Sequence, residues 1–346
     1  MKVLAVNKYA PSDPRRGGAE KRLGEVLQYI SSKHDVHLLC AKSTTKCDLD
    51  GVQIHQPPLS NNVFAAHLLI FTLLPLYAAY LAPDVIYEDI SVAPWLSHIT
   101  CFWLPTVSII HNFNGEQLWR RGQYVKGAML SVLDWITVTL YRSKPVIVVS
   151  KHMEKILLQS GFNDVTTIYN GVERGLIQAE KSQKEPSKLL YLGRLEFRKG
   201  TDLLFKAWRE ALQDEYELHI AGRNEAGYSI PSSAQYHGFV TEEKKKRLLQ
   251  DSYTLLVPSR WEGYGIVVLE ARATNTGVVA NDAPGLREAV NDIGGTLTDF
   301  DKPSNVYDAV RSMSKKDIAT VSGKINSWTC VAEETEEILK NEIREE

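Results

Sequence analysis

Short apolar runs alternate along the chain with longer stretches of helical periodicity, and the alternation passes through the sequence twice. In the first half, residues 3–6, 36–40, 85–87, 106–111 and 146–149 are apolar runs of strand length, and helical patterns begin near Ala19, Phe64, Gly127 and Lys151. Strand followed by helix, repeated, predicts a mostly parallel sheet covered by helices. The composition then turns polar and charged over residues 173–188, with Pro186 close to its end, which reads as a linker. Beyond it the pattern restarts: strands at 189–192, 217–221, 254–257 and 277–280, with helices after Thr201, after Thr241 and from about Gly265.

The expectation is therefore α/β, with two Rossmann-like doubly wound domains facing across a cleft at the carboxyl ends of their strands. The domains are set at 1–175 and 186–330, and residues 331–346 form a terminal helix that could pack back towards the first. One segment stands apart. Residues 51–83 carry no Asp, Glu, Lys or Arg, and residues 64–82 are almost wholly apolar. That length reaches the lower bound of a membrane span, roughly 17–25 residues. His67, Thr72 and Pro75 interrupt it and a strand follows at once, so a buried or surface-docked helix is expected.

Size and charge narrow the classes. A chain of 346 residues can build two separate cores, and 40 basic against 42 acidic side chains lack the basic surplus of a nucleic-acid binder. Cys40, Cys47, Cys101 and Cys330 are scattered, without the spacing of a zinc site or a disulfide framework, which fits a reducing, cytoplasmic setting. The opening Met1-Lys2-Val3-Leu4-Ala5-Val6-Asn7 is too short an apolar run for a signal peptide and reads as a first strand.

The candidate chemistry centres on Glu262-Gly263-Tyr264-Gly265-Ile266-Val267-Val268-Leu269-Glu270, two carboxylates bracketing a glycine-containing turn and an apolar run. A helix starting inside it would point unpaired amides at an anion or a polyhydroxyl ligand. Gly193-Arg194-Leu195-Glu196-Phe197-Arg198-Lys199-Gly200 ends the first strand of the second half, and Arg194 and Lys199 could converge on one diphosphate, the first as a fork and the second as a point charge. Gly17-Gly18 opens a helix after the basic, proline-containing loop of Pro11, Pro14, Arg15 and Arg16, a setting that suits phosphate, although a plain turn looks the same. It is not G-x-G-x-x-G, so a nicotinamide dinucleotide is poorly supported. His111 closes a first-domain strand, where either a structural or a functional role is open.

In order along the chain, Gly17-Gly18, Asn170-Gly171-Val172, the 193–200 loop, Gly238-Phe239-Val240 and the 262–270 segment resemble the retaining family-4 glycosyltransferases of the GT-B fold. The resemblance implies transfer of a sugar from a nucleotide-diphosphate-sugar, which serves as donor substrate, with no further cofactor. It makes Arg194 and Lys199 the diphosphate clamp and has Gly17 or Gly18 offer amides to the same phosphate. Glu270 would hold the ribose hydroxyls, Glu262 with the amides of Gly263, Tyr264 and Gly265 would address the sugar, and Phe239 and Val240 would lie beside the base. His111 matches a histidine near the reacting centre. The chain departs from the family at Tyr169 and Gly222-Arg223-Asn224-Glu225, so base and diphosphate contacts near Arg223 are expected to differ, and at Gly277 and Pro284-Gly285, where donor-sugar contacts are expected to differ.

With two cations available and no D-x-D pair suitably placed, metal-independent catalysis is expected. Retention of configuration is implied by the resemblance alone. For the acceptor, Trp119, Arg120, Arg121, Tyr124 and Lys126, with the greasy runs 128–133 and 64–82, suit an anionic bilayer, so a lipid-linked hydroxyl at the cytoplasmic membrane face is weighed slightly above a soluble one. Lys244 to Arg247 reads instead as the solvated face of a capped helix. An epimerase or phosphorylase, and a binding or scaffold subunit without turnover, remain the alternatives.

Overall fold

The computed structural model describes residues 1–13, 17–41, 47–57, 63–91, 93–113, 124–177, 184–313 and 325–345. Pro14, Arg15, Arg16, Trp119, Arg120 and Arg121 lie outside the described residues. Two compact units divide the chain: residues 1–170 together with 328–346, and residues 171–327.

The first unit is built on seven parallel strands: β1 (Lys2–Val6), β2 (Asp35–Leu39), β3 (Val52–His55), β4 (Val85–Ile90), β5 (Thr106–Ile110), β6 (Val146–Val148) and β7 (Val165–Thr167), in the order β3-β2-β1-β4-β5-β6-β7. The order reverses between β1 and β4, and such a reversal opens a crevice beyond the strands' carboxyl ends. Side-chain alternation assigns the two faces of β4. Ile86 packs with Ile70, Leu74 and Ala78 of helix Val63–Leu81, and Glu88 bonds Tyr141 of helix Tyr124–Tyr141. Tyr87 and Asp89 point the other way, where buried Arg22 of helix Gly18–Ser31 interacts with both. The terminal helix Trp328–Glu345 completes this unit by packing on helix Gly18–Ser31, with Glu333 bonded to Tyr29 and Glu336 to His34.

Helix Val63–Leu81 buries Ala66, Ile70, Leu74, Ala78 and Leu81, one row at helical spacing, and exposes Leu68, Leu76 and Tyr80 on the opposite side. Among the described residues no helix is long and apolar enough to cross a membrane.

The second unit repeats the plan with six parallel strands: β8 (Glu185–Leu192), β9 (Glu217–Ala221), β10 (Gln235–Tyr236), β11 (Ser252–Val257), β12 (Gly277–Asn281) and β13 (Thr296–Thr298). Their order, β10-β9-β8-β11-β12-β13, reverses between β8 and β11. Its core gathers Leu189, Leu204, Trp208, Ile220, Leu256 and Phe300.

The polar stretch 173–188 is not one linker. Helix Arg174–Ile177 occupies its start, and β8 begins at Glu185, whose partner Ser252 lies before a register irregularity in β11. The ammonium of Lys184 anchors the strand by donating to the carbonyls of Leu249, Gln250 and Ser252 and to the Thr276 hydroxyl at 2.9–3.0 Å, and burial pushes it down to about 8. A lysine that neutralises the end of helix Glu242–Asp251 looks, in sequence, like any linker charge.

Candidate active site

In the second unit the loops that follow β8 and β11 meet at the reversal of strand order, and their glycines explain how closely. Gly200 sits at φ +68°, and a Cβ there would lie 2.0 Å from the Pro258 carbonyl oxygen. Gly222, after β9, would place a Cβ 1.8 Å from the Gly193 oxygen, and Gly285 one 2.2 Å from the Glu262 oxygen. Backbone therefore rests on backbone at three points around these loops.

Side chains fasten the same junction. Arg260 forms a fork to both Asp202 oxygens at 2.7 Å, donates to the Phe197 carbonyl at 2.8 Å, and lies 3.9 Å over the Phe197 ring. The Arg260 amide donates to the Arg198 carbonyl at 2.9 Å. Lys199, carried by a 3₁₀ turn over Phe197–Lys199, brings its ammonium 2.5 Å from Glu262 Oε1, which also accepts from Ser259 Oγ at 2.9 Å.

Burial pushes the Lys199 ammonium below its ordinary value, against the pull of Glu262. For Glu262 burial acts upward, but Lys199, Arg198 and Ser259 outweigh it and hold the carboxyl low. Each partner thus favours the charged form of the other, against the burial that opposes charge on both. Arg194 is 40% exposed, with Nη2 3.7 Å from Glu196 Oε1, which Arg198 also approaches at 3.2 Å. Its position is fixed through the backbone, since Tyr191 OH donates to the Arg194 carbonyl at 2.8 Å.

Gly265, at φ +82°, turns the chain into helix Ile266–Ala273 and has no side chain to cap it. Tyr264 is buried and reaches Asp292 at 3.3 Å. Glu270 lies on that helix, also buried, with Oε1 2.8 Å from Lys245 Nζ. Lys245 meets Glu242 as well, so this lysine is not part of a solvated face, in contrast to the reading of residues 244–247. Its spacing of three and four residues before the buried Leu248 and Leu249 was the available signal. Gly238 accepts from the Gly222 amide at 2.8 Å, and beside it the Phe239 ring, 61% exposed, has the Arg223 guanidinium 4.6 Å from its centroid, with Val240 half-buried next to it.

The first unit holds the remaining candidates. Gly17 precedes helix Gly18–Ser31, and its amide donates to Glu20 Oε2 at 2.7 Å, so in this structure that amide serves the helix start. His111 is the first residue past β5 and its Nε2 lies 3.1 Å from Asp89 Oδ2, while Asp89 Oδ1 is buried without a hydrogen-bond partner among the described residues. Asp89 was not singled out in the sequence, although it precedes the last residue of β4, which pairs with Ile110 in β5. Arg22 ties the 168–170 turn to its helix by donating to the carbonyls of Ile168 and Tyr169 and to Asn170 Oδ1 at 3.0–3.2 Å.

Two doubly wound parallel α/β sheets place the chain in the class of GT-B type folds. Residues 16–175 match the model for Glycosyltransferase Family 4, and residues 173–325 match that for Glycosyl transferases group 1. The chain belongs to the family-4 glycosyltransferases. It is 29% identical over 227 residues to the glycogen synthase of Mycobacterium tuberculosis, covering 60% of this chain and 54% of that protein. About half to three quarters of the length of the first curated relatives is spanned. The fold is similar to that of sucrose-phosphate synthase from Thermosynechococcus elongatus, with TM-score 0.77, 15% identity and full coverage of both chains. It is also similar to Anabaena HepE crystallised with UDP and glucose, with TM-score 0.73, 17% identity, 99% of this chain and 100% of that one covered.

Proposed function

We propose that the chain transfers a sugar from a nucleotide-diphosphate-sugar to a hydroxyl acceptor, with retention of configuration and without a metal ion. The Lys199–Glu262 pair at the β8 and β11 carboxyl ends carries this reading. Departure of the nucleotide concentrates negative charge on its diphosphate, and preformed cations there lower the barrier. Lys199 and Arg194 supply that charge, with Glu262 keeping Lys199 in place until the diphosphate draws on it. Glu262 and the 263–265 turn address the sugar, Glu270 the ribose, and Phe239 and Val240 the base. In the first unit, His111 oriented by Asp89 meets the sugar, and Gly17 or Gly18 meets the phosphate.

HepE was crystallised with UDP-glucose, which makes that compound the first donor to test. The acceptor we favour is lipid-linked, at the cytoplasmic face of a membrane. Release of UDP from UDP-glucose with an added polyprenol-linked acceptor, in excess chelator, is the direct assay. Turnover that vanishes with chelator and returns with magnesium refutes the metal-independent reading, and an inverted anomeric proton signal in the product refutes retention.

A further inference from the structure

We propose that the outer side of the helical layer over the first sheet is a docking surface for an anionic lipid bilayer. The proposal rests on the lipid-linked acceptor reading for its purpose and on the surface for its location. Among the described residues, twelve exposed large apolar side chains fall between residues 68 and 140, against four in the whole second unit. That density exceeds what a soluble surface ordinarily leaves unexplained.

Three elements share the layer. His67 of helix Val63–Leu81 stacks on Trp95 at 3.9 Å between ring centroids; Leu96 N, at the start of the short helix Ser97–Thr100, donates to Tyr141 OH at 2.7 Å; and His98 packs edge-on against the Tyr141 ring at 4.3 Å. Helix Tyr124–Tyr141 is therefore locked beside the other two. Its inward side holds Gly127, Thr137 and Tyr141, while Val125, Met129, Val132 and Trp135 form an exposed stripe at spacings of four, three and three. In the neighbouring elements Leu76, Tyr80 and Phe102 are exposed as well, the last two about four-fifths.

Charge selects the occupant. Helix Val63–Leu81 has no charged side chain. On helix Tyr124–Tyr141 the charges are an exposed Lys126 and a half-buried, already engaged Asp134, and Arg142 and Lys144 follow its end. An apolar sheet with tyrosine and tryptophan at its surface and cations at both ends of one helix complements acyl chains below anionic headgroups. A protein partner would ordinarily meet a polar rim around an apolar centre, whereas helix Val63–Leu81 carries no charge at all.

The test is flotation of the full chain with phosphatidylcholine vesicles and with equimolar phosphatidylcholine and phosphatidylglycerol vesicles, with UDP-induced thermal stabilisation measured in parallel. Wild type is expected to float with the anionic vesicles, and the Val132→Glu, Trp135→Glu double variant to bind them at least about tenfold more weakly while responding to UDP as before. Lys126→Glu with Arg142→Glu, which spares the apolar stripe, should erase the preference for anionic vesicles. Absence of flotation with either vesicle, or unchanged flotation of the double variant, overturns the proposal. Self-association of wild type that the double variant abolishes, without flotation, assigns the face to a second copy and equally overturns it. Vesicle binding without sugar transfer to a lipid acceptor, by contrast, would sink the acceptor reading and leave the surface standing.

Discussion

Lys199 Nζ and Glu262 Oε1 stand 2.5 Å apart, joining the loop after the first strand of the second sheet to the loop after its fourth. Removing the ammonium should cost both chemistry and stability. Lys199→Ala is expected to lower kcat by about 10²–10³, the effect of losing one preorganised donor at a developing anion. It also strands a nearly buried carboxylate, at roughly 2–3 kcal/mol, below the full cost of breaking a deeply buried pair because both groups reach solvent at their rims. UDP release and urea denaturation measure the two separately. The Lys199→Ala, Glu262→Ala double variant should unfold at higher urea than Lys199→Ala alone, while remaining as inactive.

Gly200→Ala tests the close approach of the loops. The new methyl meets the Pro258 carbonyl and a left-handed backbone, and the second unit should lose more than about 2 kcal/mol. Gly161→Ala is the control, because its φ is also positive, +90°, but nothing lies within 4 Å of its Cβ. Denaturation midpoints that fall equally in both would show that backbone strain, and not the clash, sets the cost.

Lys245→Met should weaken UDP binding about tenfold, a change of roughly 1.4 kcal/mol, because Glu270 would lose the ammonium that orients it. Calorimetric titration with UDP reads this directly. An unchanged affinity would return Lys245 to a purely structural role.

Acid should destabilise the protein well before its carboxylates titrate. His55, His67, His98, His219 and His237 are all held below the ordinary imidazole value, first by burial, His98 at about 4. Lowered folded values mean that the unfolded chain takes up these protons first, so the stabilisation is complete above about pH 6.5 and is lost as the pH falls below it. Glu336 adds a later loss. Burial would raise it, but bonds to Lys340, His34 and Lys33 bring it to about 2, so its contribution disappears as the pH drops from about 4.5 towards that value. Melting temperatures should fall from pH 7.5 to 5 and again below 4.5; a rise towards acid would contradict this assignment.

Much of the architecture was legible because it is local. Apolar runs placed the principal strands of both sheets within a few residues, and the 262–270 segment carried its turn, its helix and its two carboxylates in one stretch. The strands that escaped, β3, β7, β10 and β13, are two to four residues long and too short to show a period. Partners escaped for a different reason. Lys245 meets Glu270 from 25 residues away and Asp89 meets His111 from 22, so these pairings exist only once strand order has brought the elements together.

The first unit is discontinuous in sequence, interrupted by the whole of the second and finished by helix Trp328–Glu345. During synthesis the interrupting segment leaves the ribosome as an unbroken length, able to reach its own folded state while Tyr29 and His34 still await the glutamates that will cover them. Translation therefore completes the earlier-encoded half last, and a nascent chain stalled before Trp328 would expose that uncovered helix to chaperones.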